Sequence, residues 1–225
     1  MSALAVGPRD AVTSPNDMNQ ESTVFVVDDN PGVCQSILAL AESAGLRAET
    51  FPSAREFLDA YRPDRAGCLV LDIRLRGSSG LDLQDELLRR RATLPIIVLT
   101  AYANVPTSIR AFKSGAFDFL RKPVPPDQLL ERIGAAIELD RRNRAVAAES
   151  EAIRRRIARL TRREYEVMEL MVAGKMSKEI AGALDLSVRT VEGHRRVVLR
   201  KMQVTSAAQL VRDVLIARGE VQRAT

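Results

Sequence analysis

The stretch Val24-Phe25-Val26-Val27-Asp28-Asp29-Asn30-Pro31 decides how the first half of this chain reads. Four apolar residues run into two carboxylates and then into a pair that opens a helix. Three further runs share that form. Cys68-Leu69-Val70-Leu71 is followed by Asp72, Pro95-Ile96-Ile97-Val98-Leu99 by Thr100, and Phe117-Asp118-Phe119-Leu120, one residue on, by Lys122. Short continuous apolar runs between helical stretches read as strands of a parallel sheet buried on both faces. In such sheets ligand chemistry gathers beyond the carboxyl ends of the strands. Asp28, Asp29, Asp72, Thr100 and Lys122 are therefore expected to converge. Close carboxylates repel and call for a hard cation, and Mg²⁺ takes carboxylate oxygens while accepting phosphate oxygens. The set suits Mg²⁺ and a phosphoryl group.

Working outward, Asn30 caps a helix over residues 31–44, which Gly45 ends. Residues 46–51 form a polar edge strand, Ser53 caps a helix over 54–61, and further helices are expected over 80–91 and 105–113. Five strand–helix units with short right-handed crossovers give a doubly wound, flavodoxin-like α/β domain. A fifth helix begins near Asp127, with Leu129, Leu130, Ile133 and Ile137 at helical spacing. Polarity then rises through Asp140-Arg141-Arg142-Asn143-Arg144, yet no Gly or Pro occurs between Gly134 and Gly174. A solvated helical linker is expected there, with Ile153, Ile157 and Leu160 resuming an apolar stripe. A coiled coil fits poorly, because the heptad pattern breaks between Ile137 and Ile153.

After Thr161 the pattern holds four short helices and no strand, over about 162–173, 177–184, 187–202 and 206–217. Thr161 and Glu164 have capping-box spacing, and Ser177 and Ser187 read as further caps. The second and third of these helices, joined by Asp185-Leu186, form a helix-turn-helix. Val167, Leu170, Met171, Ile180, Ala181, Leu184, Val188, Val191, Val198, Leu199 and Leu210 fit one small core. The expected layout is a loose tail over 1–21, the α/β domain over 22–137, the helical linker over 138–159 and an all-α helix-turn-helix domain over 160–225.

The charge divides with that layout. Residues 1–149 hold 18 Lys/Arg and 20 Asp/Glu, net −2, whereas 150–225 hold 16 and 9, net +7. The basic end is the candidate for a polyanion partner. No apolar run approaches the ~18 residues of a membrane span. Residues 1–20 lack a basic start and an apolar core, so no signal peptide is expected. Cys34 and Cys68 form no CxxC pair and read as small buried apolar residues of a cytoplasmic protein.

The ordered segments VVDDN (26–30), LDIRLRGSSGLDL (71–83), VLTA (98–101) and FDFLRKP (117–123) resemble the receiver domains of bacterial two-component response regulators, over roughly residues 23–140. The resemblance implies that Asp72 is phosphorylated by a sensor histidine kinase. It implies that Asp29, Asp72 and the backbone carbonyl of Arg74 ligate Mg²⁺, with Asp28 helping through water. Thr100 and the backbone N–H of Ala101 would bond phosphoryl oxygens, and Lys122 would pair with the group. Phe119 stands where the family has an aromatic switch residue coupled to Thr100. One residue departs from the pattern. The family usually carries Pro four positions after the acceptor, and this chain has Arg76.

Residues 160–212 resemble the LuxR-type helix-turn-helix of the FixJ and NarL branch, through LTRREYEVMELMVAGKMSKEIAGALDLSVRTVEGHRRVVLRKM (160–202) and SAAQLV (206–211). The recognition helix would be 187–202. The family places base contacts at Glu192, Gly193 and Arg196; Glu192 could accept from cytosine and Arg196 donate to guanine. Ser187, Arg189, Thr190, Arg195, Arg200 and Lys201 are phosphate candidates, and Lys178 would clamp the backbone from the preceding helix. His194, the single histidine, packs or binds a phosphate. Gly174-Lys175 resembles a P-loop fragment, but Glu169 stands where that loop needs its first Gly, so nucleotide hydrolysis is rejected.

The leading expectation is a cytoplasmic transcription factor switched by aspartyl phosphorylation, with promoter DNA, the kinase and RNA polymerase as partners and a homodimer as its phosphorylated form, the helical linker either setting the dimer's spacing or holding the DNA-binding domain against the receiver before phosphorylation. It would not be an enzyme beyond its own phosphorylation and dephosphorylation. A phosphohydrolase using Asp72 would need an acid two residues on, where this chain has Arg74. A receiver that no longer signals is disfavoured by the intact acidic, hydroxyl and ammonium set.

Overall fold

The apolar runs become strands because helices cover both faces of the sheet they form. In the computed structural model, which describes residues 22–101, 111 and 113–220, five parallel strands lie in the order β2-β1-β3-β6-β7. They are β1 (Thr23–Val27), β2 (Arg47–Phe51), β3 (Gly67–Leu71), β6 (Ile96–Thr100) and β7 (Asp118–Arg121). A short hairpin of β4 (Arg74–Leu75) and β5 (Ser78–Ser79) lies between β3 and the next helix, and no sequence pattern announces it. The helices of this unit are α1 (Pro31–Ser43), α2 (Ala54–Ala60), α3 (Gly80–Arg89) and the start of α4 (Pro126–Ile157). The helix expected over 105–113 lies outside the described residues except for Ala111 and Lys113, as does the expected tail over 1–21.

Alternate side chains divide between two cores, as the two-residue strand period requires. Val24, Val26, Cys68, Val70, Ile97 and Leu99 pack with Cys34, Ile37 and Ala41 of α1 and Leu129, Ile133 and Ile137 of α4. Phe25, Val27, Leu69, Leu71, Ile96 and Val98 pack with Phe57 of α2 and Leu81, Leu83 and Leu87 of α3. β1, β3 and β6 are buried at nearly every residue, while β2, at the sheet edge, is half exposed. The last strand is shifted one residue from the expected 117–120, because Ile97 pairs with Asp118 and Thr100 with Arg121.

Unit boundaries fall inside a helix. α4 is continuous over Pro126–Ile157, and the chain divides into compact units at Asn143/Arg144. The solvated linker expected over 138–159 is therefore corrected. Asp140 is 1% exposed and its Oδ2 accepts the Gly67 N–H at 2.9 Å, so the helix is held by the first unit to that point. Ile153 is 1% exposed in the core of the second unit, where Arg154 donates to the Ala217 carbonyl and Arg156 to that of Met202. Only the stretch between, 141–149, is largely exposed. The stripe expected from Ile153, Ile157 and Leu160 does pack into that core, whereas the polar sequence hid Asp140, since a single buried Asp makes no stripe.

The second unit adds α5 (Arg162–Val172), α6 (Ser177–Leu184), α7 (Val188–Met202) and α8 (Ala207–Arg218). The Thr161–Glu164 capping box is formed. Ser187 caps α7 through the Thr190 N–H, but Ser177 is not a cap. Met176 holds that position, and Glu179 accepts its N–H at 2.8 Å. The turn between α6 and α7 places Asp185 at φ 53°, a left-handed conformation that Asp tolerates. Val188 departs from the expected core: as the first residue of α7 it is 42% exposed, while Ile153, Met168, Met202 and Val214 fill the interior.

Two glycines separate space from helix propensity. A Cβ on Gly67, at φ 146°, would lie 1.8 Å from the Thr23 carbonyl oxygen, whereas a Cβ on Gly134 in α4 meets nothing within 4 Å. Gly67→Ala is expected to destabilise the first unit by at least ~3 kcal/mol. Gly134→Ala should stabilise it by ~0.5–1 kcal/mol. Urea denaturation of both variants checks the pair, and a Gly67→Ala protein as stable as the parent would refute the close approach.

Candidate phosphoryl site and nucleic-acid interface

β1, β3, β6 and β7 run parallel, so their carboxyl ends share one edge of the sheet and carry Asp28, Asp72, Thr100 and Lys122 to it. The backbone fixes the register: Asp28 N–H donates to the Phe51 carbonyl, Asp72 N–H to Val27 and Lys122 N–H to Thr100. Lys122 Nζ then lies 2.6 Å from Asp28 Oδ2 and 2.8 Å from Asp72 Oδ2. Asp28 is 3% exposed; its Oδ1 accepts the Asn30 N–H, and its carbonyl accepts from Cys34 Sγ. Burial works against the charge on Lys122, but the hydrogen bonds to Asp28 and Asp72 outweigh it and leave its pKa raised. The ammonium is thus firmly charged.

Asp29 faces differently. Its Oδ2 lies 3.5 Å from Arg76 Nε. Among the described residues no three acidic, thiolate or imidazole groups gather into a ready-made metal cage. Of the three expected carboxylates, Lys122 bridges two and the third lies beside Arg76. Electrostatics gives the reason: neighbouring carboxylates are held together by cations between them. The donor set still fits Mg²⁺, which is commonly held by one or two carboxylates plus water and a phosphate, not by a closed cage. Asp29 and Asp72 keep 26% and 13% of their side chains accessible.

Asp72 Oδ1 accepts the Arg74 N–H at 3.1 Å. Thr100 is 1% exposed, Ala101 is exposed, and Phe119 is half-buried against the core that holds Phe57 and Leu87. Sequence reasoning missed Gly80. A Cβ there would lie 2.1 Å from the Asp72 carbonyl oxygen, so α3 can start against the Asp72 backbone only with glycine. Its sole sequence signal was the Gly-rich run Gly77-Ser78-Ser79-Gly80. Cys34 and Cys68 are both buried free thiols, and burial pushes Cys68 up to about 12.

In the second unit α7 sits on the core through Val191, Val198 and Met202, each 0% exposed. That orientation leaves Arg189, Glu192, Gly193, Arg196 and Arg200 exposed along one face. Ser187 and Thr190 are exposed at its start, and Lys178 is exposed on α6. His194 and Arg195 are half-buried, with Arg195 donating to the Lys175 carbonyl at 3.5 Å. Lys201 is committed elsewhere. Its Nζ lies 2.6 Å from Glu164 Oε2 and 3.3 Å from the Arg159 carbonyl, so the residue expected to hold a phosphate makes an ion pair within the fold. The pairing was hidden because Glu164 lies 37 residues away in sequence.

Residues 24–134 match the family described as response regulator receiver domain, and residues 158–214 the bacterial regulatory proteins of the luxR family. Nodulation protein W of Bradyrhizobium diazoefficiens is 40% identical over 196 residues, which is 87% of this chain and 86% of that protein. Transcriptional regulatory protein TdiR of Thauera aromatica is 42% identical over 194 residues, 86% of each chain. The solved structure of response regulator StyR is similar with a TM-score of 0.78 at 39% identity, covering 86% of this chain and 98% of that one.

Lys201 and Glu164 generate a stability test. The Lys201 hydrogen bond, then the Thr161 N–H, holds the Glu164 carboxyl below its ordinary 4.5. A lowered carboxylate stabilises the fold above that ordinary value, and the contribution is lost as pH falls through the lower folded value. Lys201→Ala should cost the second unit about 1 kcal/mol at neutral pH and less in acid. Faster hydrogen exchange of the α5 amides is the expected readout; unchanged exchange at pH 7 would leave Lys201 free for DNA.

Proposed function

Since this chain belongs to the response-regulator family, a phosphorylation-dependent transcription factor with a receiver and a LuxR-type DNA-binding domain, we propose that Asp72 is its phosphoacceptor. A receiver implies a histidine kinase as partner, and the luxR-family domain implies DNA. One observation carries the assignment of Asp72: Lys122 Nζ bonds Asp28 and Asp72 together at the ends of two adjacent strands. Asp29, next in sequence to Asp28 and half-buried, would complete the site.

The chemistry follows from those positions. An Asp72 carboxylate oxygen attacks phosphorus in line as the bond to the kinase's histidine nitrogen breaks. Charge gathers on the equatorial oxygens. Lys122 already has its ammonium on Asp72 and moves to a phosphoryl oxygen, and the Thr100 hydroxyl and Ala101 N–H take others. Receiver domains use Mg²⁺ for this reaction. Here Asp29, Asp72 and the Arg74 carbonyl would hold it, with Asp28 acting through water, and when bound it neutralises phosphoryl oxygens. Arg74 offers no acid for turnover on external substrates, so the chemistry stays within self-phosphorylation and autodephosphorylation.

Residues 22–137 act as the receiver and 160–225 as the DNA-binding domain, working in the cytoplasm, where kinase, promoter and RNA polymerase meet. Glu192, Gly193 and Arg196 face base edges, while Lys178, Ser187, Arg189, Thr190, His194, Arg195 and Arg200 hold phosphates. Lys201 supports the fold beneath them. One recognition helix per chain gives modest affinity, and two linked helices span half-sites about one DNA turn apart. Phosphorylation therefore acts through dimerisation, with Thr100 and Phe119 relaying the change. The pairing surface in this reading is the one around Val105, Ile109, Arg110, Phe112 and Lys113, of which only Lys113 is among the described residues.

Asp72→Asn should abolish labelling by a small phosphodonor and also the doubling of mass that the donor and Mg²⁺ produce in light scattering. Full labelling of that variant would refute the acceptor assignment, and labelling of the parent without a change of mass would refute dimerisation. Arg196→Ala should lower discrimination by about 1–3 kcal/mol at one base pair, whereas Arg189→Ala should weaken all sequences alike and flatten the salt dependence. Equal losses on operator and random DNA for Arg196→Ala would remove it from base reading.

A further inference from the structure

The carboxylates at the phosphoryl site are divided between two cations of different kinds. Lys122 is largely buried and takes Asp28 and Asp72. Arg76 stands in the turn between β4 and β5, has a side chain 88% exposed, and places Nε 3.5 Å from Asp29 Oδ2. We propose that Arg76 is a tethered cation that competes with Mg²⁺ for Asp29 and thereby weakens the metal affinity of the phosphoryl site. The inference rests on the reading of Asp29 as a direct metal ligand.

Three features carry it. Asp29 has the most accessible side chain of the three aspartates, so it is the one a cation from solvent reaches first. Metal and guanidinium need the same oxygen lone pairs, and a divalent ion arriving beside a fixed positive charge is also repelled by it. The arm gives way readily, since it is almost wholly in solvent and this is its ion pair among the described residues. Lys122 cannot take the same part, being held by two carboxylates with little of its side chain in solvent. Arg76 thus has a consequence in binding equilibrium without touching the transferred group.

Calorimetric titration of the full chain with magnesium chloride at low ionic strength tests it, with no phosphodonor present. Arg76→Gln should tighten Mg²⁺ binding about two- to fivefold, the range of an exposed ion pair. Arg76→Glu should tighten it further, and Arg76→Lys should stay near the parent. Added salt should compress the series, because exposed charges are screened. Asp29→Ala should weaken binding and make the residue at position 76 matter less. If Asp29→Ala weakens binding while Arg76→Gln and Arg76→Glu leave it unchanged, the role of Arg76 is overturned and the metal site stands. If Asp29→Ala itself has no effect, the reading of the metal site fails first.

Discussion

The bond from the Lys122 ammonium to Asp28 and Asp72 is the constraint on which the amino-terminal unit's site depends. Two carboxylates at adjacent strand ends repel in a partly buried setting, and a single half-buried cation between them turns that repulsion into attraction. The hydrogen bonds of Lys122 to both partners keep it charged despite burial. Its backbone N–H, bonded to the Thr100 carbonyl, ties the same residue to β6. Strand ends that the sheet merely brings near are thereby held in one arrangement, with phosphoryl chemistry latent in it. Gly80 completes the enclosure by letting α3 begin against the Asp72 backbone.

α4 solves a different problem, with one helix serving two cores. Its first half supplies Leu129, Ile133 and Ile137 to the sheet, and its last turns supply Ile153 to the helical unit. The anchors that bound its exposed stretch are polar as well as apolar. Asp140 accepts a backbone N–H from Gly67, a residue that close approach to Thr23 restricts to glycine. Arg154 and Arg156 satisfy carbonyls at the ends of α8 and α7. Of these polar side chains only Asp140 is buried, and a buried polar group is retained where it finds a partner.

The basic surface of the second unit is likewise less uniform than its charge suggests. Arg189, Arg196 and Arg200 remain exposed on α7 because Val191, Val198 and Met202 turn the opposite face inward. Lys201, one position further round, is drawn to Glu164 and neutralised within the fold. Helical periodicity separates an inward from an outward face but cannot say which outward charge has a partner on another helix.

The sequence by itself determined the sheet, the two cores, the helix-turn-helix and which polar residues stand at the strand ends. Apolar periodicity reports burial directly, and polar residues at strand ends have only one place to go in a parallel sheet. Caps at Asn30, Ser53, Thr161 and Ser187 were legible because capping is local. Tertiary structure alone decided that Lys122 bridges Asp28 and Asp72 while Arg76 faces Asp29, that Asp140 is buried, that Val188 is exposed and that Lys201 is paired. Each of those depends on residues distant in sequence meeting in space. A charged residue, unlike an apolar one, has a sequence context that does not reveal whether its counter-ion is water, a neighbour or another helix.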